Sequence, residues 1–294
     1  MAPGPSRSRY WATTRRLVTI PNVIITADQD IAGATAAAEC VVQTHQRLID
    51  YLRPGLTLAQ IDAEVGRILK DLHCVSAFLG YRVRGHPPFP SHACLSVNEC
   101  IVHGTHDMSA DPLEPGDLIS IDIGVKHDGW IGDAAWSYAI AEASDEALNL
   151  MRAGSESLRL GIQAMQPERP LMDWAKTVQK YVEESHDYGL VRGLGGHGYG
   201  RTLHGPPFIS NVVPVHPGEW PDAFRAFRPG MLIAVEPMLA LTTNAIRSEG
   251  RNWPIFTSDD SLSVHYEADV HITESGPVNL TAGLFELPEI VGAS

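Results

Sequence analysis

The stretch Gly116–Trp136, GDLISIDIGVKHDGWIGDAAW, constrains this chain more than any other. Ile119, Ile121, Ile123 and Val125 alternate with Ser120, Asp122 and Gly124, the period of a strand with one apolar face. Asp122 lies on the face opposite the isoleucines. Asp128-Gly129 is a turn signal, and Trp130–Ile140 reads as a second strand carrying Asp133. A four-residue loop, with Val125 facing Trp130, puts Asp122 directly opposite Asp133, with Cβ atoms about 4.5–5.5 Å apart. A two-residue loop shifts the pairing by two and still leaves both carboxylates on one face. Two carboxylates that close repel unless a cation lies between them or one holds a proton. Taken alone, the pair is read equally well as two solvated aspartates on an exposed sheet face.

The elements around this hairpin recur. Asp28–Tyr51 reads as a helix stopped by Pro54-Gly55, and Thr57 with Gln60 has capping-box spacing before a second amphipathic helix. Val75–Tyr81 and Ala93–Val102 read as strands on either side of the proline-rich loop Arg82–Pro88. Ser144 caps a long helix to about Met165, Pro167–Pro170 breaks it, and Leu171, Trp174, Val178 and Val182 mark another. The helix–proline–helix unit thus repeats at an offset of 113, from Pro54 to Pro167. Pro115–Asp122, PGDLISID, matches Pro229–Glu236, PGMLIAVE, at an offset of 114. Two separate elements at nearly one offset predict two similar halves, each of helices followed by strands. Glu236 is then the counterpart of Asp122.

The second half adds His197 in the glycine run Gly193–Gly200, His204 seven residues later, and Glu267 in the alternating stretch Ser261–Thr273, which can pair with the Glu236 strand. Asp122, Asp133, Glu236, Glu267 and His197 brought to one site would carry four negative charges. Two divalent cations offset that charge. Oxygen-rich ligation with a single nitrogen favours ions of the Co, Mn or Fe type, and a two-metal site equips a protein for hydrolysis.

These segments resemble type I methionine aminopeptidases over about residues 28–275. The matching motifs are Ser96–Gly104 (SVNECIVHG), Ser120–Gly124 (SIDIG), Gly132-Asp133, Gly196–Arg201 (GHGYGR), Val235–Met238 (VEPM) and Ser261–Glu267 (SLSVHYE). The resemblance implies an α+β pita-bread fold with two pseudo-symmetric halves of antiparallel strands and flanking helices. It implies removal of N-terminal methionine from nascent polypeptides, by attack of a metal-bridging hydroxide on the first peptide bond. By the same resemblance Asp133 and Glu267 bridge two metal ions, Asp122 chelates one, and His197 with Glu236 holds the other. Glu236 also shuttles a proton, and His103 and His204 contact the substrate amine region and the scissile carbonyl. Tyr81, Phe89, Cys94, Leu203 and Trp253 match positions that line the methionine pocket.

The chain also departs from the family pattern. Arg82–Pro88 and Pro214–Arg228 are long, Leu203 stands where many relatives carry Phe, Gly205 replaces an acid after His204, and Ala268-Asp269 replaces His-Thr after Glu267. Two other readings compete. One is a proline-directed peptidase of the same fold; those relatives usually carry a large N-terminal domain, and only about 120 residues precede Asp122. The other is a non-catalytic relative that binds peptides or ribosomes; such relatives typically lose metal ligands.

A net charge of −13 excludes a chain-wide nucleic-acid or membrane surface, and no apolar run approaches the roughly 18 residues of a membrane span. Cys40, Cys74, Cys94 and Cys100 show no CxxC spacing, which argues against a zinc ribbon and for a reduced, cytoplasmic compartment. Residues 1–27 contain Arg7, Arg9, Arg15 and Arg16 and no acid. They read as a flexible basic extension that can touch ribosomal RNA, ahead of a catalytic domain over 28–294; an organellar address has the same composition.

Overall fold

A computed structural model describes residues 24–293. The first half contains helices α1 (Asp28–Leu48) and α2 (Leu58–Asp71) and strands β1 (Val75–Ser76), β2 (Cys94–Val97), β3 (Cys100–Val102), β4 (Leu118–His127) and β5 (Trp130–Ile140). The second contains α3 (Asp145–Ala164), α4 (Met172–Gln179), β6 (Gly189–Leu190), β7 (Gly195–Gly198), β8 (Gly205–Ser210), β9 (Leu232–Val235) and β10 (Met238–Ala240). After them come β11 (Ile246–Ser248), β12 (Ile255–Thr257), β13 (Ser263–His265), β14 (Ala268–Thr273), β15 (Gly276–Asn279) and β16 (Ile290–Val291).

The helix signals act as their chemistry requires. Thr57 accepts from the Gln60 amide while the Gln60 side chain accepts from the Thr57 amide, the reciprocal cap expected at α2. The Ser144 hydroxyl accepts from the Ala147 amide and starts α3. The helix predicted over Asp28–Tyr51 stops at Leu48, and α4 runs on into one π-helical turn, Lys180–Glu184. Two strand predictions shorten. Only Val75–Ser76 of Val75–Tyr81 pairs, because the Ser76 hydroxyl accepts from the Phe78 and Leu79 amides and turns the chain. Ala93–Val102 breaks into β2 and β3 at Asn98, whose φ is +52°.

The two halves repeat one arrangement. In the first, β4 lies between β2 and β5; in the second, β9 lies between β7 and β14. β4 and β9 belong to separate hydrogen-bonded sheets, and the sheets meet along a seam between β5 and the β13–β14 segment. There the Glu267 amide donates to the Ala135 carbonyl (2.9 Å) and the His265 amide to the hydroxyls of Ser120 and Ser137 (3.1 Å each). A core of aliphatic and aromatic side chains fills the space between sheets and helices, with Tyr138, Trp174 and Tyr266 among its largest fully buried members.

Residues 24–27, counted above with the extension, are docked: Ile24 bridges to Met231, and the Ile25 amide donates to the Gly230 carbonyl (2.8 Å). The arginines of the predicted basic extension lie outside the described residues.

α1 makes a buried polar contact with β5. His45 is fully buried, and its Nδ1 lies 2.9 Å from the Tyr138 hydroxyl. Burial pushes the His45 imidazole down from 6.5 to about 4. The unfolded chain therefore takes up this proton first as pH falls, so the contribution is complete above about 6.5 and is lost on descending towards 4. Urea unfolding of the parent and of His45→Gln should differ in acid sensitivity over that range by roughly 3 kcal/mol. Parallel pH profiles would show that His45 is not the group being titrated.

Candidate metal centre

The β4–β5 hairpin turns through two residues. His127 pairs with Trp130, and Asp128 (φ +47°) and Gly129 (φ +80°) form the turn. In this register Asp122 faces Ala135 and Asp133 faces Gly124. The arrangement with Asp122 directly opposite Asp133 is thereby corrected. The two carboxylates share a face as diagonal neighbours, a spacing of about 7–8 Å between Cα atoms in a regular ladder.

The second hairpin is built differently. β14 pairs with β9 from Ala268↔Val235, and β13 pairs with β10 from His265↔Met238. One register runs through both, so Glu236 and Glu267 oppose each other at the break where Pro237 has no amide to offer the ladder. That interruption leaves both glutamates at the seam beside β5. His197 sits mid-strand in β7, with glycine on either side. A Cβ on Gly196 would lie 2.2 Å from the Ala234 carbonyl oxygen, and one on Gly198 would lie 2.1 Å from that of Pro206. The glycine run is therefore what lets β7 lie this close between β8 and β9 and carry the imidazole into the seam.

Two groups of side chains converge there. Ligand atoms of Asp133, His197 and Glu267 lie within 4.8 Å of one another, as do those of Glu236, His265 and Glu267. His197 Nε2 is 3.7 Å from Asp133 Oδ2, and His265 Nε2 is 3.4 Å from Glu236 Oε2 and 3.9 Å from Glu267 Oε2. Asp122 stands outside both groups, next to Cys94 across the β2–β4 pairing.

The electrostatics are those of too many buried acids. Burial, with repulsion from Glu236, pushes the Asp122 carboxyl up to about 7, although His265 opposes the shift. Asp133 and Glu267 are pushed well above the carboxylate range, by burial first and by the neighbouring carboxylates next. Asp122 Oδ1, Asp133 Oδ1 and His265 Nε2 are buried without a hydrogen-bond partner among the described residues. His197 Nδ1 is 3.3 Å from the Gly198 carbonyl, which orients the ring with Nε2 towards Asp133. Orphaned acceptors, an oriented imidazole and mutually repelling carboxylates fit a site for cations.

The other predicted residues flank this cluster. The Tyr81 hydroxyl is 2.6 Å from His204 Nδ1, and the His204 ring lies against that of His197, with centroids 4.4 Å apart. Trp253 meets Phe89 edge-on at 5.3 Å and His103 at 6.2 Å, and its Nε1 donates to the Pro87 carbonyl. The long loop 82–88 is thus held over Trp253, a tie reinforced by His86 Nδ1 at 3.0 Å from the Arg251 carbonyl. Leu203 is buried in the main core next to His204. The long loop 214–228 packs against the start of α4, where the Met172 and Leu171 amides donate to the carbonyls of Ala223 and Arg225, and against β8, where Trp220 Nε1 donates to the Phe208 carbonyl (2.9 Å).

Residues 32–274 match the model of metallopeptidase family M24. The chain is 34% identical to methionine aminopeptidase of Clostridium acetobutylicum, over 88% of this chain and 98% of that one. It is 35% identical to methionine aminopeptidase 1 of Mycobacterium tuberculosis, over 85% and 92%. The chain belongs to the methionine aminopeptidases of family M24. The crystal structure of methionine aminopeptidase from Rickettsia prowazekii is similar over 89% of this chain and all of that one, with a TM-score of 0.81 at 27% identity. The expected pita-bread fold is therefore the fold of this member of the family.

Two residues of this metallopeptidase went unremarked as site residues. His265 lies inside the SLSVHYE motif, and only the pairing of β13 with β10 shows that it faces Glu236. Asp269 is noticeable in the sequence only as a departure after Glu267. It is fully buried, and its Oδ2 accepts the Asp133 amide at 2.9 Å, which fixes the backbone that presents the Asp133 carboxylate. Asp269→Ala should lose about 1–3 kcal/mol in urea unfolding of the metal-free protein, because the Asp133 amide is left buried and unpaired. Asp269→Asn keeps a carbonyl acceptor and should lose less. An Asn variant as unstable as the Ala variant would show that this bond does not carry the effect.

Proposed function

We propose that the chain removes N-terminal methionine from nascent polypeptides in the cytoplasm, by hydrolysis of the first peptide bond at the Asp122, Asp133, His197, Glu236 and Glu267 site. The observation that supports this best is the convergence of His197, Glu236, Glu267 and the Asp122–Asp133 hairpin face on one buried seam, in a chain of this family. Asp133 and Glu267 would hold two divalent ions of the Co, Mn or Fe type jointly, with Asp122 on one and His197 and Glu236 on the other. Such ions, when bound, polarise a carbonyl and lower the pKa of a shared water.

The remaining residues have roles of their own. Glu236 is the most accessible of the four carboxylates, with its side chain 15% exposed, and is the one placed to take and return a proton. Burial pushes His204 down to about 3 and His103 to about 4, so both rings are neutral at neutral pH. The Tyr81 hydroxyl lies 2.6 Å from His204 Nδ1; in the tautomer that accepts from it there, the ring proton would sit on Nε2, for the scissile carbonyl oxygen as charge develops. His103 is held at φ +58°, beside Trp253, for the amine end of the substrate. Tyr81, Phe89, Cys94, Leu203 and Trp253 form the pocket, where a methionine thioether against aromatic rings gains about 0.3–1.5 kcal/mol per contact. The basic start, with Arg7, Arg9, Arg15 and Arg16, would add a salt-sensitive ribosome contact.

The test is turnover of Met-Ala-Ser beside Xaa-Pro peptides, with metal stripped and restored. Metal-dependent release of methionine, with Xaa-Pro peptides left intact, is expected. A preference for Xaa-Pro substrates would establish the proline-directed reading, and no turnover of either, with metal bound, would establish the non-catalytic one. His204→Ala should lower turnover on the order of 10²–10³-fold at unchanged metal content. Loss of metal in this variant would make His204 a ligand.

A further inference from the structure

A second group of metal-binding side chains lies outside the catalytic seam. Cys40 is on α1, Cys74 follows the end of α2, and His127 ends β4 at the mouth of the hairpin turn. The two sulfurs and a ring nitrogen of His127 lie within 4.8 Å of one another. Cys74 Sγ is 3.5 Å from His127 Nδ1, and on the other side of the ring Asp128 Oδ2 is 3.7 Å from Nε2. We propose that Cys40, Cys74 and His127 form a second metal site, for a soft divalent ion of the zinc class.

Four features support it. Two thiolates and an imidazole are three of the four donors that tetrahedral zinc takes, and water can supply the fourth. Cys74 Sγ lies at Nδ1 of His127, so the neutral ring already turns a ligating nitrogen towards the thiol pair. Cys40 and Cys74 are buried, whereas the His127 side chain is 24% exposed and that of Asp128 91%, so an ion can enter from the turn. The donors also differ in kind from the oxygen-rich catalytic set, so the two sites select different ions. An ion here would tie α1, the α2–β1 joint and the turn of the hairpin that carries Asp122 and Asp133, which makes it a staple for the catalytic scaffold.

Cobalt(II) distinguishes the sites, because only thiolate ligation produces an intense near-ultraviolet sulfur-to-metal charge-transfer band. The protein, reduced with a phosphine, is titrated with Co²⁺ under argon. The expected band reaches the intensity of one thiolate-bound Co²⁺ per chain once the catalytic seam has also filled, is displaced by Zn²⁺, disappears in Cys40→Ser and Cys74→Ser, and persists in Cys94→Ser. Asp128→Asn, which suits the positive φ of the turn and so keeps the fold, leaves all three donors in place and should retain the band. No band in the reduced parent, or a band that survives Cys40→Ser, overturns the proposal. A Cys40–Cys74 disulfide that forms equally fast with and without Zn²⁺ would also overturn it and assign the pair to redox chemistry.

Discussion

Mutual repulsion among buried carboxylates is the constraint on which this structure turns. Asp122, Asp133 and Glu267 are almost fully enclosed, Glu236 stands beside them, and the pairing of β5 with the β13–β14 segment holds them there. Burying one unpaired carboxylate costs several kcal/mol, and a cluster costs more unless protons or cations offset it. The scaffold does not relieve this with an arginine or lysine: among the described residues the basic groups that face these carboxylates are His197 and His265. A protein that keeps acids in this state has a site built to receive positive charge.

The two halves make such a site inexpensive to position. Each contributes a hairpin that carries acids, and the two are joined at the seam by the Glu267 amide and the Ala135 carbonyl. The turn at Asp128-Gly129 fixes one register, and the ladder break at Pro237 fixes where the second pair of acids stands. The glycines around His197 then bring an imidazole to the same place. Asp269 adds a hydrogen bond that no repeat would suggest, joining the second half to the backbone of Asp133.

Much of this was legible because it rests on short-range rules. Capping residues, alternation and the repeat offset identify α2, α3, β4 and β5 and set Asp122 and Asp133 in their strands, whereas Glu236 and Glu267, expected in strands, stand in the gaps β9–β10 and β13–β14 that Pro237 opens. The hairpin register was left open between two loop lengths, since Asp-Gly fits either, and the two-residue turn is the one formed. Short strands such as β1 were over-extended because Ser76 turns the chain through its own hydroxyl, a contact that propensity does not reveal. His265 is not identifiable in the sequence as a site residue, because its role depends on which strand lies opposite. Cys40, Cys74 and His127 are too far apart in sequence to form a spacing motif, and only packing of α1 against the hairpin brings them together.

Two ions held jointly by the acidic seam are what we propose. Equilibrium dialysis against Mn²⁺, which suits oxygen ligands and is disfavoured by the thiol cluster, tests this most directly. Two Mn²⁺ ions per chain are expected for the parent, and no more than one held tightly by Asp133→Asn, whose amide supplies one weak oxygen where a shared carboxylate stood. A parent that binds no Mn²⁺, or an Asp133→Asn protein with the parent's stoichiometry and affinity, would contradict it.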